Sequence, residues 1–426
     1  MKRITVTNAK DDAAKLRNSS NCVTDDLIEK VKSIMDNVAK HGDSAIIDYI
    51  EKFDSVRVNS LKVTEDEVKQ AYRNVTTRQI QSVNLIKKRL MKTEMSLFKK
   101  LKGITISFDG VTIKRVIQPI SNIGCYIPGG KARYPSTMIM CAIPAKVVGV
   151  KRIVAVSPPM KDGMVDSLTL VAADICGVNE FYKMGGAQAI GALTFGTSSI
   201  NRVDKIVGPG GLFVTIAKIL ASSKISVDMV AGPTEVLIYA DSNADARLIA
   251  VDLISQSEHS SDTLCGLVTT SKELALRVSN NIQAIIANGI ERNDIVRKSL
   301  ESRGFIAICN DESTAIDFIN EIAPEHLEIM VRRTENITKK ITSAGLILTG
   351  KYTPSSASDY CLGSNHVLPT LGFSRSRASL SILDFIKIVN VVKSSKAGLQ
   401  KIETDIKEIT SAEGLINHYE AIKERI

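Results

Sequence analysis

Histidine is scarce in this chain, and four of its five copies lie beside other polar residues that could share chemistry with them. His259 follows a predicted amphipathic helix, Ala246–Gln256, and lies three residues after Gln256. If the last helical turn persists, both side chains point to one face. An amide oxygen and an imidazole can form half of a mononuclear metal site, although a polar helix end without function is the simpler interpretation.

A carboxylate and an imidazole are adjacent in the segment A-P-E-H-L-E-I, where Glu325 and His326 follow Pro324. Pro324 is expected to end the preceding helix, and residues 327–331 are typical of a strand, so the pair would lie on a stiff junction. A carboxylate beside an imidazole suits general acid–base catalysis, because the two groups can accept protons in turn. A surface turn without function is the alternative.

Two further histidines lie in the C-terminal part of the chain. His366 shares a segment of small polar residues, 355–370, with Asp359, and His418 lies close to Glu413 near the chain end. Connections longer than ~12 residues in a compact domain are usually functional or disordered, and the low charge of 355–370 favours function. No zinc-finger spacing and no H-E-x-x-H motif occurs, so a metal site must be assembled from distant segments. A nitrogen and oxygen ligand set suited to Zn²⁺ is available in Gln256, His259, Asp359 and His418.

Three glycine-rich connections indicate a nucleotide site. They are G-C-Y-I-P-G-G at 124–130, M-G-G-A-Q-A-I at 184–190 and G-P-G-G at 208–211, and the last two follow predicted strands. Backbone N–H groups in such connections can approach a phosphate closely. No G-x-G-x-x-G fingerprint lies between a predicted strand and a helix, so the prediction depends on the three segments together at a sheet edge.

The elements that must position these residues alternate between strand and helix from about residue 104 onward. Such alternation predicts parallel sheets with helices on their faces. Before it, Thr24 is expected to cap a helix that stops at Gly42, and Thr64 with Glu67 forms a capping box. The predicted strands are Ile153–Val156, Phe181–Met184, Lys205–Val207, Val236–Ala240, Leu267–Thr269, Phe305–Cys309, Leu327–Val331 and Leu346–Leu348, and Leu212–Ala221 is a predicted helix.

Composition limits the class of protein. The chain has 426 residues, 44% hydrophobic and 24% charged, which suits two to three globular domains. The net charge of +9 is spread along the chain and aromatic residues are only 4%, so nucleic-acid binding is not expected. Seven cysteines without a C-x-x-C pair, and no apolar run of ~18 residues, predict a soluble cytoplasmic protein without a membrane span.

A set of phrases gives the chain a specific resemblance. In order, they are H-G-D-S-A-I-I-D-Y-I-E-K-F-D, V-D-K-I-V-G-P-G, A-G-P-T-E-V-L-I, S-Q-S-E-H, A-P-E-H-L-E-I, G-S-N-H-V-L-P-T and E-G-L-I-N-H. Together they closely resemble the histidinol dehydrogenase family, over nearly the whole chain. The resemblance implies oxidation of L-histidinol through the aldehyde to L-histidine, with two NAD⁺, as the last step of histidine biosynthesis.

The resemblance also implies roles for individual residues. It implies that Glu325 activates water and that His326 is the base for the alcohol proton. One Zn²⁺ per subunit would be held by Gln256, His259, Asp359 and His418. Substrate contacts would come from those four ligands, from His326, and from Thr234, His366 and Glu413. Contacts to NAD would come from Tyr126, Gln188 and Gly211.

Strand–helix alternation and the resemblance together predict an α/β fold with two Rossmann-like parallel-sheet domains, one nested in the other, and helical arms at both ends. The predicted limits are an N-terminal arm over 1–20, a large α/β domain over 21–127 and 235–380 that carries most metal and catalytic residues, a nested nucleotide-binding domain over 128–234, and a C-terminal helical arm over 381–426. The family is an intertwined homodimer, so the resemblance implies that Glu413 and His418 are donated across the dimer interface.

Three positions depart from the family pattern. Gly211 stands where the family usually has Asn, Thr234 where it has Ser, and Ser260-Ser261 where it has Gly-Pro. Three alternatives therefore remain at this stage. They are a relative acting on another amino alcohol, a zinc hydrolase with Glu325 as base on a metal-bound water, and a non-catalytic α/β protein that binds a structural metal.

Overall fold

A computed structural model describes residues 1–18, 23–129, 133–229 and 232–426. Gly130 of the first glycine-rich segment and the predicted limit between residues 20 and 21 lie outside these ranges. The strands are β1 (Lys2–Val6), β2 (Ile104–Phe108), β3 (Val111–Pro119), β4 (Asn122–Tyr126), β5 (Arg152–Ser157), β6 (Glu180–Lys183), β7 (Lys205–Val207), β8 (Ser226–Val227), β9 (Glu235–Ala240), β10 (Leu264–Thr269), β11 (Phe305–Cys309), β12 (His326–Met330), β13 (Leu346–Thr349) and β14 (Ile386–Ser394).

The helices form where the sequence supplies caps and apolar spacing. Thr24 accepts the N–H of Leu27, and the Thr64–Glu67 capping box is present, as predicted. The helices are α1 (Ala9–Asn18), α2 (Asp25–His41), α3 (Asp43–Asp54), α4 (Glu65–Arg73), α5 (Thr77–Phe98), α6 (Pro135–Val148), α7 (Ser167–Cys176), α8 (Gly186–Phe195), α9 (Leu212–Ala221), α10 (Ala246–Ser257), α11 (Lys272–Ala287), α12 (Asn293–Ser302), α13 (Glu312–Ile322), α14 (Thr334–Thr338), α15 (Ser355–Ser358), α16 (Lys396–Ala412) and α17 (Ile416–Lys423). Short 3-10 turns cover Phe373–Arg375 and Ile382–Phe385.

Two parallel sheets form the centre of the molecule. The larger has six strands in the order β1-β11-β10-β9-β12-β13, and the smaller has five in the order β6-β5-β4-β7-β8. Helices cover both faces of each sheet, so central strands such as β9 and β10 are buried along their whole length. The α/β fold with two parallel sheets is therefore confirmed.

The chain begins in the six-stranded sheet, leaves it, and returns. The edge strand β1 pairs with β11, the chain then builds the five-stranded sheet, and it returns to the larger sheet at β9. The segment 1–20 was predicted as a separate arm, and this was wrong for its described part. Val6 and Ala13 are buried against the sheet and α13, so the short N-terminal segment gains its stability from that packing.

The predicted limits of the large domain also differ from the structure. Residues 21–127 were assigned to it, yet β4 is the middle strand of the five-stranded sheet, α2 packs against α8, and α5 packs against α6. Their apolar faces complete the core of the smaller sheet. The pattern of an amphipathic helix shows which of its faces is buried but not which sheet covers that face. The sequence therefore does not determine the domain to which these helices belong.

A third, antiparallel sheet joins the C-terminal segment to the rest of the protein. Its order is β14-β3-β2, and β14 pairs with β3 from Ile386 opposite Pro119 to Ser394 opposite Val111. The expectation that the segment after Ser381 is helical was therefore incomplete, because a nine-residue strand precedes α16 and α17. Among the described residues, no helix has the length and apolar content required to cross a membrane.

Candidate active site

The predicted acid–base pair lies where the six-stranded sheet reverses its strand order. The chain runs from β9 outward to β10 and β11 on one side, and from β12 to β13 on the other, so β9 and β12 are neighbours at the switch point. Thr234 precedes β9, Glu325 precedes β12, and His326 is the first residue of β12. Because the strands are parallel, these residues meet at the amino edge of the sheet.

Hydrogen bonds hold the carboxylate of Glu325 in place. Its Oε2 accepts a bond of 2.6 Å from the hydroxyl of Thr234 and one of 2.7 Å from the backbone N–H of Glu235. The side chain is buried, with 8% of its surface exposed. A buried carboxylate with two donors on one oxygen has a fixed position and keeps its other oxygen for further contacts.

His326 lies between two carboxylates. Its Nδ1 is 3.2 Å from the carbonyl oxygen of Glu235 and 3.6 Å from Oε2 of Glu325, and its Nε2 is 3.5 Å from Oδ1 of Asp359. Burial alone would lower the pKa of His326, but the charges of Glu325 and Asp359 outweigh it and raise that pKa well above its ordinary value. The buried Nε2 has no hydrogen-bond partner in the described structure.

Asp359 and His366 come from the segment 355–370. The segment was expected to be a loop, but it opens with the short helix α15, and Asp359 is the C-cap residue of that helix. Nδ1 of His366 is 2.6 Å from the backbone carbonyl of Asp359. Burial would raise the pKa of Asp359, but His326, His366 and His259 together hold it below its usual value. Burial lowers the pKa of His366.

Gln256 and His259 lie at the end of α10. Gln256 is buried, and its amide nitrogen donates to Thr234 over 2.9 Å, which leaves the amide oxygen out of this bond. α10 ends at Ser257, so His259 lies just past the helix; its backbone N–H bonds to the carbonyl of Gln256 over 3.3 Å, and its Nδ1 is 3.2 Å from the same oxygen. The exposed His259 lies close enough to Asp359 to lower its pKa.

The donor set around this edge fits a zinc ion in its chemistry. An amide oxygen, an imidazole and a carboxylate, from Gln256, His259 and Asp359, are ligands that Zn²⁺ accepts. Within the described ranges, however, one chain contains no group of three or more His, Cys, Asp or Glu side chains arranged for a metal. A closed site would need a further ligand from elsewhere.

Glu413 and His418 lie apart from this cluster in the single chain. Both are exposed on the C-terminal segment, Glu413 at the end of α16 and His418 within α17, a helix that buries no residue. The other predicted metal and catalytic residues are thus brought together at one edge, and these two are not.

The predicted cofactor residues gather at the carboxyl edge of the five-stranded sheet. Its order reverses between β4 and β7, and Tyr126 ends β4 while Gly211 caps α9 after β7. The Tyr126 hydroxyl accepts the N–H of Gly186 over 3.1 Å, and the adjacent Gln188 is buried in α8. At Gly208 φ is +115° and a Cβ would collide with the carbonyl of Tyr126, so only glycine brings the two strand ends this close. Crevices at such switch points are common nucleotide sites.

The two edges face each other across a short polar contact. Oγ1 of Thr137, in the first turn of α6 after β4, is 3.2 Å from Nε2 of His366. Nearby, the side-chain amide of Asn365 donates to the backbone carbonyl of Met140 over 2.9 Å. The acid–base edge of one sheet is therefore joined to the glycine-rich edge of the other.

Four residues behind the site were missed by the sequence analysis. Arg17 and Glu235 form a buried ion pair next to Glu325. Asp252 on α10 lies close enough to Glu328 on β12 for its charge to raise the pKa of Glu328. Glu328 also accepts the N–H of Ser355 over 2.7 Å at the start of α15. An isolated Arg or Asp in a helix has no distinctive sequence signal, and only the spacing of Glu328 two residues after His326 hinted at a shared face.

Comparison with known proteins places this architecture in a family. Residues 17–426 match the family model described as histidinol dehydrogenase. The chain belongs to the histidinol dehydrogenase family. The enzyme of that name from Methanocaldococcus jannaschii is 38% identical over 417 residues, covering 98% of this chain and 96% of the relative. That from Clostridium acetobutylicum is 42% identical over 402 residues, covering 94% and 92%.

A solved structure agrees over the full length. The crystal structure of histidinol dehydrogenase from Elizabethkingia anophelis superposes with a TM-score of 0.94 at 35% identity, covering 100% of this chain and 98% of that one. The resemblance inferred from the sequence phrases is thereby confirmed, and the chain is an oxidoreductase of this family.

Proposed function

We propose that the protein oxidises L-histidinol to L-histidine through the aldehyde in two successive NAD-dependent steps, the last reactions of histidine biosynthesis. The observation that carries the proposal is the acid–base pair Glu325–His326, held beside Asp359 and Gln256 and joined through His366 to the glycine-rich edge of the second sheet. A hydrolase would use the acid–base edge of the six-stranded sheet, but it would have no use for the glycine-rich edge of the five-stranded sheet.

Two groups from outside the chain would complete the chemistry. When bound, NAD would supply the hydride acceptor and Zn²⁺ would supply a fixed positive charge that orients the substrate. We assign the Zn²⁺, one per subunit, to Gln256, His259, Asp359 and His418. The donor types and the convergence of the first three support this assignment. We assign the NAD contacts to Tyr126, Gln188 and Gly211.

His326 and Glu325 would do the proton work. The charges of Glu325 and Asp359 raise the pKa of His326 in the metal-free chain, and a metal ion held by Asp359 would offset one of these charges and favour the neutral imidazole. Its Nε2 atom, buried without a hydrogen-bond partner in the described structure, would then take the proton of the substrate alcohol. Glu325 is fixed by Thr234 and the N–H of Glu235 through one oxygen, which leaves its other oxygen to take a proton from the water that attacks the aldehyde. Each oxidation releases one proton beside the hydride, and the water that attacks the aldehyde must give up a proton as its C–O bond forms, so two adjacent acceptors suit the sequence of steps.

Substrate contacts are proposed for Thr234, His366 and Glu413 in addition to the ligand and base residues. Thr234 donates to Glu325 and accepts from Gln256, so it lies between the base and the metal ligands. Among the described residues other than its two chain neighbours, no atom lies within 4 Å of the position that a Cβ at Gly211 would take. The protein therefore lacks the side chain that the family usually places there against the cofactor.

We further propose a homodimer in which the C-terminal segment of one subunit completes the site of the other. Apolar side chains are exposed along the antiparallel sheet and on α16 and α17, which is unusual for a surface in contact with water. They include Ile104, Ile106, Phe108, Ile388, Val392, Ile409 and Ile416. A partner subunit would bury them and bring Glu413 and His418 to the cluster. A reducing compartment, the cytoplasm, is proposed because the cysteines of the described ranges are free thiols.

The test is absorbance at the NADH band with purified protein, NAD⁺, added Zn²⁺ and L-histidinol, beside a chelated control. Two NADH per histidinol, lost on chelation and restored by Zn²⁺, is the expected result. No NADH from a folded, zinc-loaded protein would refute the proposed function and would direct the search to other amino alcohols and then to hydrolysis.

A further inference from the structure

An ion pair lies behind the proposed catalytic carboxylate. Arg17, at the end of α1, reaches the carboxylate of Glu235 at the start of β9 with both terminal nitrogens, and the distance from Nη2 to Oε2 is 2.9 Å. The two side chains are only 15% and 3% exposed. Bidentate pairs of this kind fix the direction of both groups.

Glu235 and Glu325 exchange hydrogen bonds. The backbone N–H of Glu235 donates to Oε2 of Glu325 over 2.7 Å, and the backbone N–H of Glu325 lies 3.3 Å from Oε2 of Glu235. The N–H of Leu371 donates to the other oxygen of Glu235 over 2.9 Å. The carboxylate that Arg17 orients therefore fixes the backbone that carries Glu325.

Arg17 also holds the turn that delivers Glu325 to the site. Its guanidinium donates to the backbone carbonyls of Ile322, over 2.9 Å from Nε, and of Ala323, over 3.1 Å from Nη2. Ala323 has φ +49°, a left-handed conformation that a residue with a side chain seldom adopts. A cation on these carbonyls stabilises the strained turn just before Pro324.

We propose that Arg17 and Glu235 are positioning residues that fix the backbone and the carboxylate of Glu325 in the orientation required for catalysis. Neither would touch the substrate. The inference rests on the proposed function, in which Glu325 takes a proton from water. Misplacing a catalytic group by about 1 Å can cost about 100-fold in rate, so the loss should fall on kcat and leave KM little changed.

The chain contains a matched control. Arg152 makes a bidentate pair with Glu180, at 2.6 and 3.0 Å, and likewise donates to two backbone carbonyls, those of Asn201 and Arg202. This pair lies at the amino edge of the five-stranded sheet, opposite the glycine-rich edge. Replacing Arg152 removes the same bonds from the fold without touching the support of Glu325.

The experiment compares R17M, R17A, R17K and R152M with the wild type as zinc-loaded full-length proteins. For each we measure kcat and KM for L-histidinol, zinc content and the unfolding temperature. We expect both Met variants to unfold at lower temperature, but only R17M to lose about 10- to 100-fold in kcat with unchanged zinc. R17K keeps the positive charge but loses the bidentate hydrogen bonding of the guanidinium group, so it should fold and show a smaller loss of kcat. Added guanidinium should partly restore the kcat of R17A.

An R17M with wild-type kcat and a lowered unfolding temperature would show a structural role and overturn the inference. If R17M does not fold, a wild-type kcat in R17K has the same meaning. Failure of the proposed function is separate, because it appears as a wild type that does not oxidise histidinol. In that case a crystal structure of R17K still tests the inference. We expect the carboxylate of Glu325 to lose its hydrogen bonds to Thr234 and to the N–H of Glu235. Retention of both bonds would overturn the inference.

Discussion

His326 and Asp359 approach each other from two different elements. Nε2 of His326, the first residue of β12, lies 3.5 Å from Oδ1 of Asp359, the C-cap of α15, and Nδ1 of His366 lies 2.6 Å from the backbone carbonyl of Asp359. The two residues are 33 positions apart, and only the packing of α15 over the sheet brings them together. Asp359 is therefore both a proposed zinc ligand and a direct neighbour of the proposed acid–base pair.

The acid–base pair Glu325–His326 should be required for turnover and not for zinc binding. E325Q keeps the shape of the side chain, H326N removes the imidazole ring, and both lose the proton acceptor, so we expect kcat to fall about 100-fold or more. Zinc content, measured by atomic emission, should stay near one per chain. Loss of zinc from either variant would instead identify the residue as a ligand.

Zinc binding should fail when a ligand of the cluster is replaced. His259 is exposed at the end of α10, so H259N should fold normally and lose most of its zinc. The matched control is H41N, because His41 is likewise exposed at a helix end, the last residue of α2. Full zinc retention in purified H259N would exclude the proposed role.

The C-terminal segment should act in trans. Deleting the chain after Ser411 removes α17, which buries no residue of its own chain, so the fold should survive while zinc and activity are lost together. Mixing inactive E325Q with inactive H418N should restore activity at about a quarter of the sites, because each mixed dimer has one complete site. An active truncated monomer would contradict the shared site.

The neighbouring carboxyl groups of Asp252 and Glu328 should make stability fall as the pH rises from about 4.5 to about 8. Burial first and then the charge of Asp252 raise the pKa of Glu328 from 4.5 to about 8, and burial raises that of Asp252 to about 6. An acid whose pKa is raised by folding stabilises the fold fully below its unfolded value, near 4.5, and this contribution is lost as the pH rises through about 8.

E328Q should therefore show a flatter pH dependence than the wild type. Urea unfolding at about pH 5 and about pH 9 should show that the wild type loses about 4 kcal/mol more stability than E328Q between these two pH values. E301Q, at an exposed position on α12, is the control and should keep the wild-type dependence. Equal losses in E328Q and the wild type would mean that folding does not raise the pKa of Glu328.

Many local elements were predictable because their signals are local. The helix capped by Thr24 and the helix Leu212–Ala221 occur as predicted, and the strands Lys205–Val207 and Phe305–Cys309 match residue for residue. Strand β12 begins one residue earlier than predicted, so His326 lies in the strand itself. Caps and apolar runs act over a few residues, which is the range that a single sequence displays.

How the elements group into sheets was harder to predict from the sequence. The described part of the segment 1–20 joins the six-stranded sheet, and the helices of 21–127 cover the five-stranded one, opposite to both predictions. An edge strand of five residues and an amphipathic helix can pack on any apolar surface that remains uncovered. Long-range packing determines which surface the element covers, and the local spacing of residues does not show it.

The sequence by itself determined the family, through phrases that the family model and the relatives confirm, and it determined which side chains could do the chemistry. Only the tertiary structure decided that Glu325 is fixed by Glu235 and Arg17, from segments far apart in the chain, and that Glu413 and His418 lie outside the cluster of one subunit. The physical reason is that residue type is a property of each position, whereas a hydrogen-bond network depends on where distant segments are packed together.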